Sequence, residues 1–360
     1  MIASYNIEQR RILFSSLRER LFRDCPHPDE VYVDLAGLKT VRILCFHPQA
    51  RAMVYKQLGW VIIDAVDNPD ATVFFWEQPS LAEFKKNALG LDVDDNDVWL
   101  QLVLKDEEGK LTPFAEINDE SGFIRMWEKD VLYFSSVDLS PESLLKAGHI
   151  FVNEFYRIVS TQSSSLIHGA CVGVDGNGVL LCARGSRGKS TLAVTALLQG
   201  FEYVSDDYLV LRKDEGDVLR SWPIYSFIAL SHKMYNELFD ELEGARFIGN
   251  HLSKEKYVLG ITKWKDSVRF GYPVRACVFP EIVSDPRPQV VPCTAQEKGR
   301  AMTHLIHSTI TQMGDQGNVG AVRKLIGMMQ PLPFYRILLS PDIRLNAECL
   351  RAFVKQLNNK

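Results

Sequence analysis

A short apolar run, Val179-Leu180-Leu181-Cys182, leads straight into Ala183-Arg184-Gly185-Ser186-Arg187-Gly188-Lys189-Ser190-Thr191. This junction constrains the chain more than any other feature. It follows the pattern G-x-x-x-x-G-K-[ST] at each fixed position except the first, where Ala183 replaces glycine. Alanine fits that position when its φ is negative. The run Thr191–Leu198 then reads as a helix closed by Gly200. A strand, a glycine-bearing turn and a helix N-terminus together demand an α/β arrangement. Free N–H groups and the positive end of the helix dipole then face one centre, which suits an anion. Gly185, Ser186, Arg187, Gly188 and Thr191 would cradle phosphates, Lys189 would reach the outer ones, and Ser190 would help hold Mg²⁺. The cofactors expected are therefore ATP and Mg²⁺.

Bulk properties set the frame. A chain of 360 residues is long enough for two domains. Its 46% hydrophobic and 24% charged residues are those of an ordinary globular protein, and a net charge of −4 gives no basic bias toward nucleic acid or membrane. No apolar run approaches a membrane span, and Met1-Ile2-Ala3-Ser4-Tyr5-Asn6 does not read as a signal peptide. The seven cysteines are scattered without a C-x-x-C pair. That usage points to a reducing cytoplasm rather than a disulfide framework or a zinc site.

Periodicity predicts a helix over 8–24, with Ile12, Leu13, Leu17 and Leu21 on its buried face, and another over 48–58. Strands are predicted at 31–33, 41–45, 60–64, 72–76, 98–104 and 131–134. Residues 1–138 thus read as a smaller N-terminal α+β domain, for acceptor binding or assembly, and 139–360 as the nucleotide-binding catalytic domain. Ser140-Pro141-Glu142 has the chemistry of a helix start, and Leu144, Phe151, Phe155 and Ile158 would line one face of that connecting helix. Leu166–Val174 reads as a strand, joined by a turn at Asp175–Gly178 to the strand that enters the loop. Met313–Gly320 reads as a flexible loop, and Ala295–Thr311 and Asn346–Leu357 as helices.

Phe201-Glu202-Tyr203-Val204 predicts a strand, with Asp206-Asp207 at its end and Tyr208-Leu209-Val210-Leu211 continuing as another. A solvated turn is the commonest fate of an Asp-Asp pair. Here the pair follows the loop by one helix and one strand, which can return it to the phosphates, and two such carboxylates suit metal binding and proton transfer. Like charges this close should raise the proton affinity of one of them.

His168-Gly169, then Gly-Ser-Arg-Gly-Lys-Ser-Thr, then Tyr203-Val204-Ser205-Asp206-Asp207 resemble, in order and spacing, the catalytic domain of the HPr kinase/phosphorylase family. Its relatives include lasso-peptide-type kinases, and the resemblance implies a phosphoenolpyruvate-carboxykinase-like P-loop kinase fold. It is specific over 165–212. It implies that Lys189 binds the outer phosphates, Ser190 and Asp207 hold the metal, Asp206 activates an acceptor hydroxyl, and His168 lies near both. Alone, a histidine at a strand end is more often a satisfied structural group. The family's metal-binding glutamate beside an Arg-Gly-Leu-Gly-type run is absent. Trp222–Leu230 stands in its place, so neither the reverse phosphorylase activity nor HPr as substrate carries over.

The function expected is transfer of the γ-phosphoryl group of ATP to a hydroxyl, most plausibly a serine of a peptide or protein. A small-molecule kinase, or a nucleotide-binding regulator without transfer, are the alternatives. Relatives of the bifunctional enzyme form hexamers, so a homo-oligomer is among the arrangements implied. Arg187, Lys254, Lys256 and Arg275 are the basic residues that could meet phosphate or acceptor. His304 and His307, three apart on a helix, lack the further ligands a metal site needs.

Overall fold

A computed structural model describes residues 2–78, 80–90, 99–119, 122–140, 149–183, 187–243, 245–251, 256–283, 287–312 and 319–357. Pro141, Glu142 and Leu144 of the expected connecting helix, and Met313–Asn318 of the expected loop, lie outside the described residues. The chain divides into two compact units: Met1–Phe151 with Gly249–Ser253, and Val152–Ile248 with Lys254–Lys360. The main division falls at 151/152, after the expected boundary at 138/139.

In the first unit β1 (Ile2–Tyr5), β2 (Asp29–Leu35), β3 (Lys39–Cys45), β4 (Ile62–Ile63), β5 (Ala71–Glu77), β6 (Trp99–Lys105), β7 (Leu111–Asn118), β8 (Phe123–Glu128) and β9 (Val131–Ser136) form one sheet. Its order is β1-β6-β7-β8-β9-β5-β3-β2-β4. The helix Ile7–Asp24 opens with a capping box, in which Asn6 and Gln9 satisfy each other's backbone N–H groups. It buries Leu13, Phe14, Leu17 and Leu21, while Ile12 is 55% exposed. The predicted face is therefore corrected by replacing Ile12 with Phe14. Phe14 stacks on Tyr133 at 4.9 Å, and Tyr133 stacks on Phe74. Phe14, Leu17 and Leu21 keep the i, i+3, i+7 spacing of one helix face, which Ile12 does not share, and the Phe14 ring removes a large apolar area from water.

The second unit carries the loop. Its strands are β10 (Ser164–His168), β11 (Ala170–Val174), β12 (Asn177–Leu181), β13 (Glu202–Ser205), β14 (Tyr208–Lys213), β15 (Leu219–Pro223), β19 (Tyr272–Ile282), β20 (Gln289–Pro292) and β21 (Phe334–Leu339). They run in the order β10-β14-β15-β19-β12-β11-β13, with β21 pairing both β19 and β20. β12, β19 and β21 are parallel neighbours, whereas β11 and β12 form the predicted hairpin. Its turn is Asp175-Gly176, both at positive φ (52° and 79°), as a two-residue turn of this hand requires. A small sheet, β16 (Phe227–Ser231), β18 (Lys256–Gly260) and β17 (Arg246–His251), lies in the order β16-β18-β17.

Two expectations change. The single strand predicted over Leu166–Val174 is broken at Gly169 into β10 and β11. Among the described residues the connecting helix covers Val152–Val159, and Phe151 precedes it at φ 58°. The helix Ala295–Gln312 starts where expected, because Thr294 and Glu297 form a reciprocal cap. With the helix Val319–Met329 it buries Leu305, Ile306, Ile310 and Leu325 against Leu180, Cys182 and Cys277 of the sheet. The helix Lys189–Leu198 instead contacts the C-terminal helix Ile343–Gln356.

Candidate active site

The site grows from an interruption in two long strands. β10 pairs with β14 and β11 with β13, all antiparallel, so 164–174 and 202–213 run as one bent pair. The flanking registers are His168↔Tyr208 and Cys171↔Ser205. Between them the Gly169 N–H donates to the Asp207 carbonyl at 2.7 Å. A bulge at Cys171/Val172 disturbs the register next to this point. Such irregularities re-aim side chains. Asp206 and Asp207 form a bend that interrupts the strand pair between β13 and β14, and their side chains meet different surroundings, Asp206 buried and Asp207 partly exposed.

Asp207 turns toward the loop. Its Oδ1 lies 2.7 Å from His168 Nε2 and 3.2 Å from Lys189 Nζ. The same ammonium donates to the Asp206 carbonyl at 2.6 Å, and Ser190 Oγ lies 3.5 Å from that carbonyl. Lys189 is buried, and a buried ammonium must be held by acceptors of this kind. The His168 backbone N–H donates to Thr309 Oγ1 at 3.1 Å, tying this strand end to the helix Ala295–Gln312. The Tyr208 ring lies 5.3 Å from the imidazole.

Asp206 turns inward and is only 4% exposed. Its carboxyl meets the Tyr203 hydroxyl and the Ala229 N–H of β16. Burial, then the charge of Asp207, pushes its proton affinity up to about 6, against the pull of Lys189, Lys256 and the Ala229 N–H. Burial also drives the Tyr203 phenol well up, with the Asp206 charge adding to it. An acid near 6 at neutral pH is matched to proton transfer. Ala229 and Thr309 carried no sequence signal, and Tyr203 stood in the quoted run only as a strand residue: their roles arise from a backbone N–H and from contacts between distant segments.

Gly188 precedes the helix at φ 89°, where side chains rarely sit, and a Cβ there would lie 2.7 Å from Leu339 Cδ1. Its carbonyl accepts the Leu192 N–H at 2.8 Å, so the helix begins at the lysine. Thr191 is half-buried in the first turn, and Arg187 is exposed. Gly185 and Ser186 of the expected cradle, and Lys254, lie outside the described residues. Lys256 acts on Asp206 electrostatically, whereas Arg275 is an exposed residue of β19. Arg187 and His304 line a cavity of about 400 Å³. His307 is exposed, and among the described residues no group of three or more His, Cys, Asp or Glu could hold a metal ion.

No family model matches the chain, and no curated protein matches it. Among solved structures, the Hpr(Ser) kinase/phosphatase from Coxiella burnetii is similar at 13% identity and a TM-score of 0.30. The alignment covers 54% of this chain and 99% of that one. Among the described residues no helix is long and apolar enough to cross a membrane.

Proposed function

We propose that this chain transfers the terminal phosphoryl group of ATP to a hydroxyl, on a serine of a peptide or protein. The observation that supports this reading is an ammonium at a glycine-bearing helix start, held by the Asp207 carboxylate and the Asp206 backbone carbonyl, with the Asp206 carboxyl buried behind them. Lys189 Nζ bonds the Asp206 carbonyl and Asp207 Oδ1, and His168 bonds that same oxygen. A site that only bound nucleotide would need the lysine but not a buried acid of raised proton affinity.

In this mechanism Asp206 takes the proton of the acceptor hydroxyl as its oxygen bonds to the γ-phosphorus. The bond from that phosphorus to the bridging oxygen breaks, and its electron pair leaves with ADP. Lys189 and the helix N-terminus offset charge on the transferring group. His168 holds Asp207 in place. Mg²⁺ prefers oxygen donors and usually takes one or two carboxylates, with phosphates and water completing its shell. Ser190 and the partly exposed Asp207 carboxylate, 26% accessible, fit that need. When bound, the ion would neutralise phosphate charge.

Incubation with γ-labelled ATP, Mg²⁺ and serine-containing peptides tests the proposal. Transfer should fall about 10²–10⁴-fold in Asp206→Asn, the usual range for loss of a general base. A Lys189→Ala protein that transferred phosphate at the unaltered rate would sink it. ATP binding without transfer to any acceptor would instead favour a regulatory nucleotide-binding protein.

A further inference from the structure

Beside the loop lies the cavity of about 400 Å³, whose walls include Cys182, Ala183, Arg187, Phe279, Cys293 and Arg300. This volume is within the range of about 300–1,000 Å³ common for small-molecule sites. None of His168, Lys189, Asp206 or Asp207 lines it.

Strand order says what it holds. β12 delivers the chain to the loop, and its two flanks differ. On one side stand β11 and β13, with the acid pair at the end of β13. On the other stand β19 and β21, whose Phe279 and Arg336 border the cavity. In α/β sheets ligands sit at the carboxyl ends of parallel strands, which is where β12 and β19 lead here. Lys189 points to the acid pair, so a transferring phosphate must lie on that flank. The remainder of the same molecule then trails across the loop toward the cavity.

The lining has matching chemistry. Arg336 bridges Glu281 at 3.1 Å and Glu297 at 3.3 Å, which offsets one of their two charges and leaves both carboxylates able to accept hydrogen bonds. The side chains of Arg187 and Arg300 are exposed at the cavity, and three arginines against two glutamates leave its wall net positive. Phe279 and Cys293 add an apolar surface for a ring.

We propose that this cavity takes the nucleoside of the nucleotide whose phosphates occupy the loop, with Arg187 and Arg300 on its phosphate side. The proposal rests on the loop being a phosphate site. Cys293, half-buried in the wall, provides a reporter in the unaltered protein. Its alkylation by iodoacetamide is followed by mass spectrometry, with Cys25 and Cys349, also half-buried, as internal references.

Mg²⁺-ATP at about ten times its Kd should slow alkylation of Cys293 about tenfold by occupancy alone. Mg²⁺-tripolyphosphate at the same occupancy should leave the rate within about twofold. Equal protection by both ligands, or none by bound ATP, would overturn the proposal. A Cys293→Trp protein should lose about tenfold in ATP affinity, a loss of about 1.4 kcal/mol, yet keep its affinity for tripolyphosphate. An unchanged ATP affinity in that variant would also overturn it. Binding of tripolyphosphate that Lys189→Ala abolishes establishes the loop separately. If neither ligand binds, the loop reading falls and the cavity proposal falls with it.

Discussion

Asp206 and Asp207 are adjacent in the chain yet live in different surroundings. Asp207 shares a lysine and a histidine near the surface, while Asp206 is buried against Tyr203 and a strand N–H. The consequences are measurable. Asp206 binds its proton up to about pH 6 in the folded chain, against an ordinary value of 3.8. The folded state therefore holds more protons than the unfolded state between those values. The stability this confers is complete below pH 3.8 and is lost as pH rises through 6. Ionising the group costs on the order of 3 kcal/mol, from the conversion of pKa to free energy. The melting temperature should fall between pH 4 and pH 7 by several degrees more in the natural protein than in Asp206→Asn. Equal falls would show that burial does not perturb this acid. The proposed proton acceptor works only when ionised, so kcat should rise with pH through about 6 and be lost below it. A flat kcat profile from pH 5 to 8 would remove Asp206 from the chemistry. The sequence picked out the pair, but the bend between β13 and β14 and the packing around it decided which acid is buried.

At the scale of the element, turn and cap chemistry was legible and register was not. Gly188 shows why the loop pattern has its second glycine: positive φ and a neighbouring Leu339 leave no room for a Cβ. Gly188→Ala should destabilise the second unit by about 1–3 kcal/mol and weaken nucleotide binding, since it distorts the helix start. Urea denaturation together with ATP titration would check this, and an unchanged midpoint would count against it. The helix Ile7–Asp24 gives a milder case. Removing its cap with Asn6→Ala should lower stability by about 1 kcal/mol, read from the same denaturation curve. Apolar content marked that helix, but its buried face is Phe14, Leu17 and Leu21 at i, i+3, i+7, a spacing that Ile12 does not share. Likewise, apolar continuity over Leu166–Val174 hid the break at Gly169. Both halves of that run are apolar, and only the partner strands differ.

Across the whole molecule, the chain divides into two compact units, each with a hydrophobic cluster of its own. One core contains Phe14, Phe74 and Tyr133, and the other contains Leu180, Cys277 and Leu305. Calorimetry should resolve two transitions. Phe14→Ala, a large-to-small change at a fully buried ring, should lower one by about 3–5 kcal/mol. Mg²⁺-ATP should raise the other by about 2.7 kcal/mol at 100 times its Kd. A single transition moved equally by both would contradict two separately stabilised units. The sequence by itself determined the local machinery: the strand, glycine turn and helix around Lys189, the hairpin at Asp175-Gly176, and the helix caps. Each of these depends on residues a few positions apart, whose conformational preferences are written into their own side chains. Only the tertiary structure decided that His168, Lys189 and Asp207 meet, that Asp206 is buried under β16, and that a cavity opens between β19, β21 and the helix Ala295–Gln312. Those outcomes depend on strand register and on packing between distant segments. Many registers satisfy the same apolar pattern, and long-range contacts select among them.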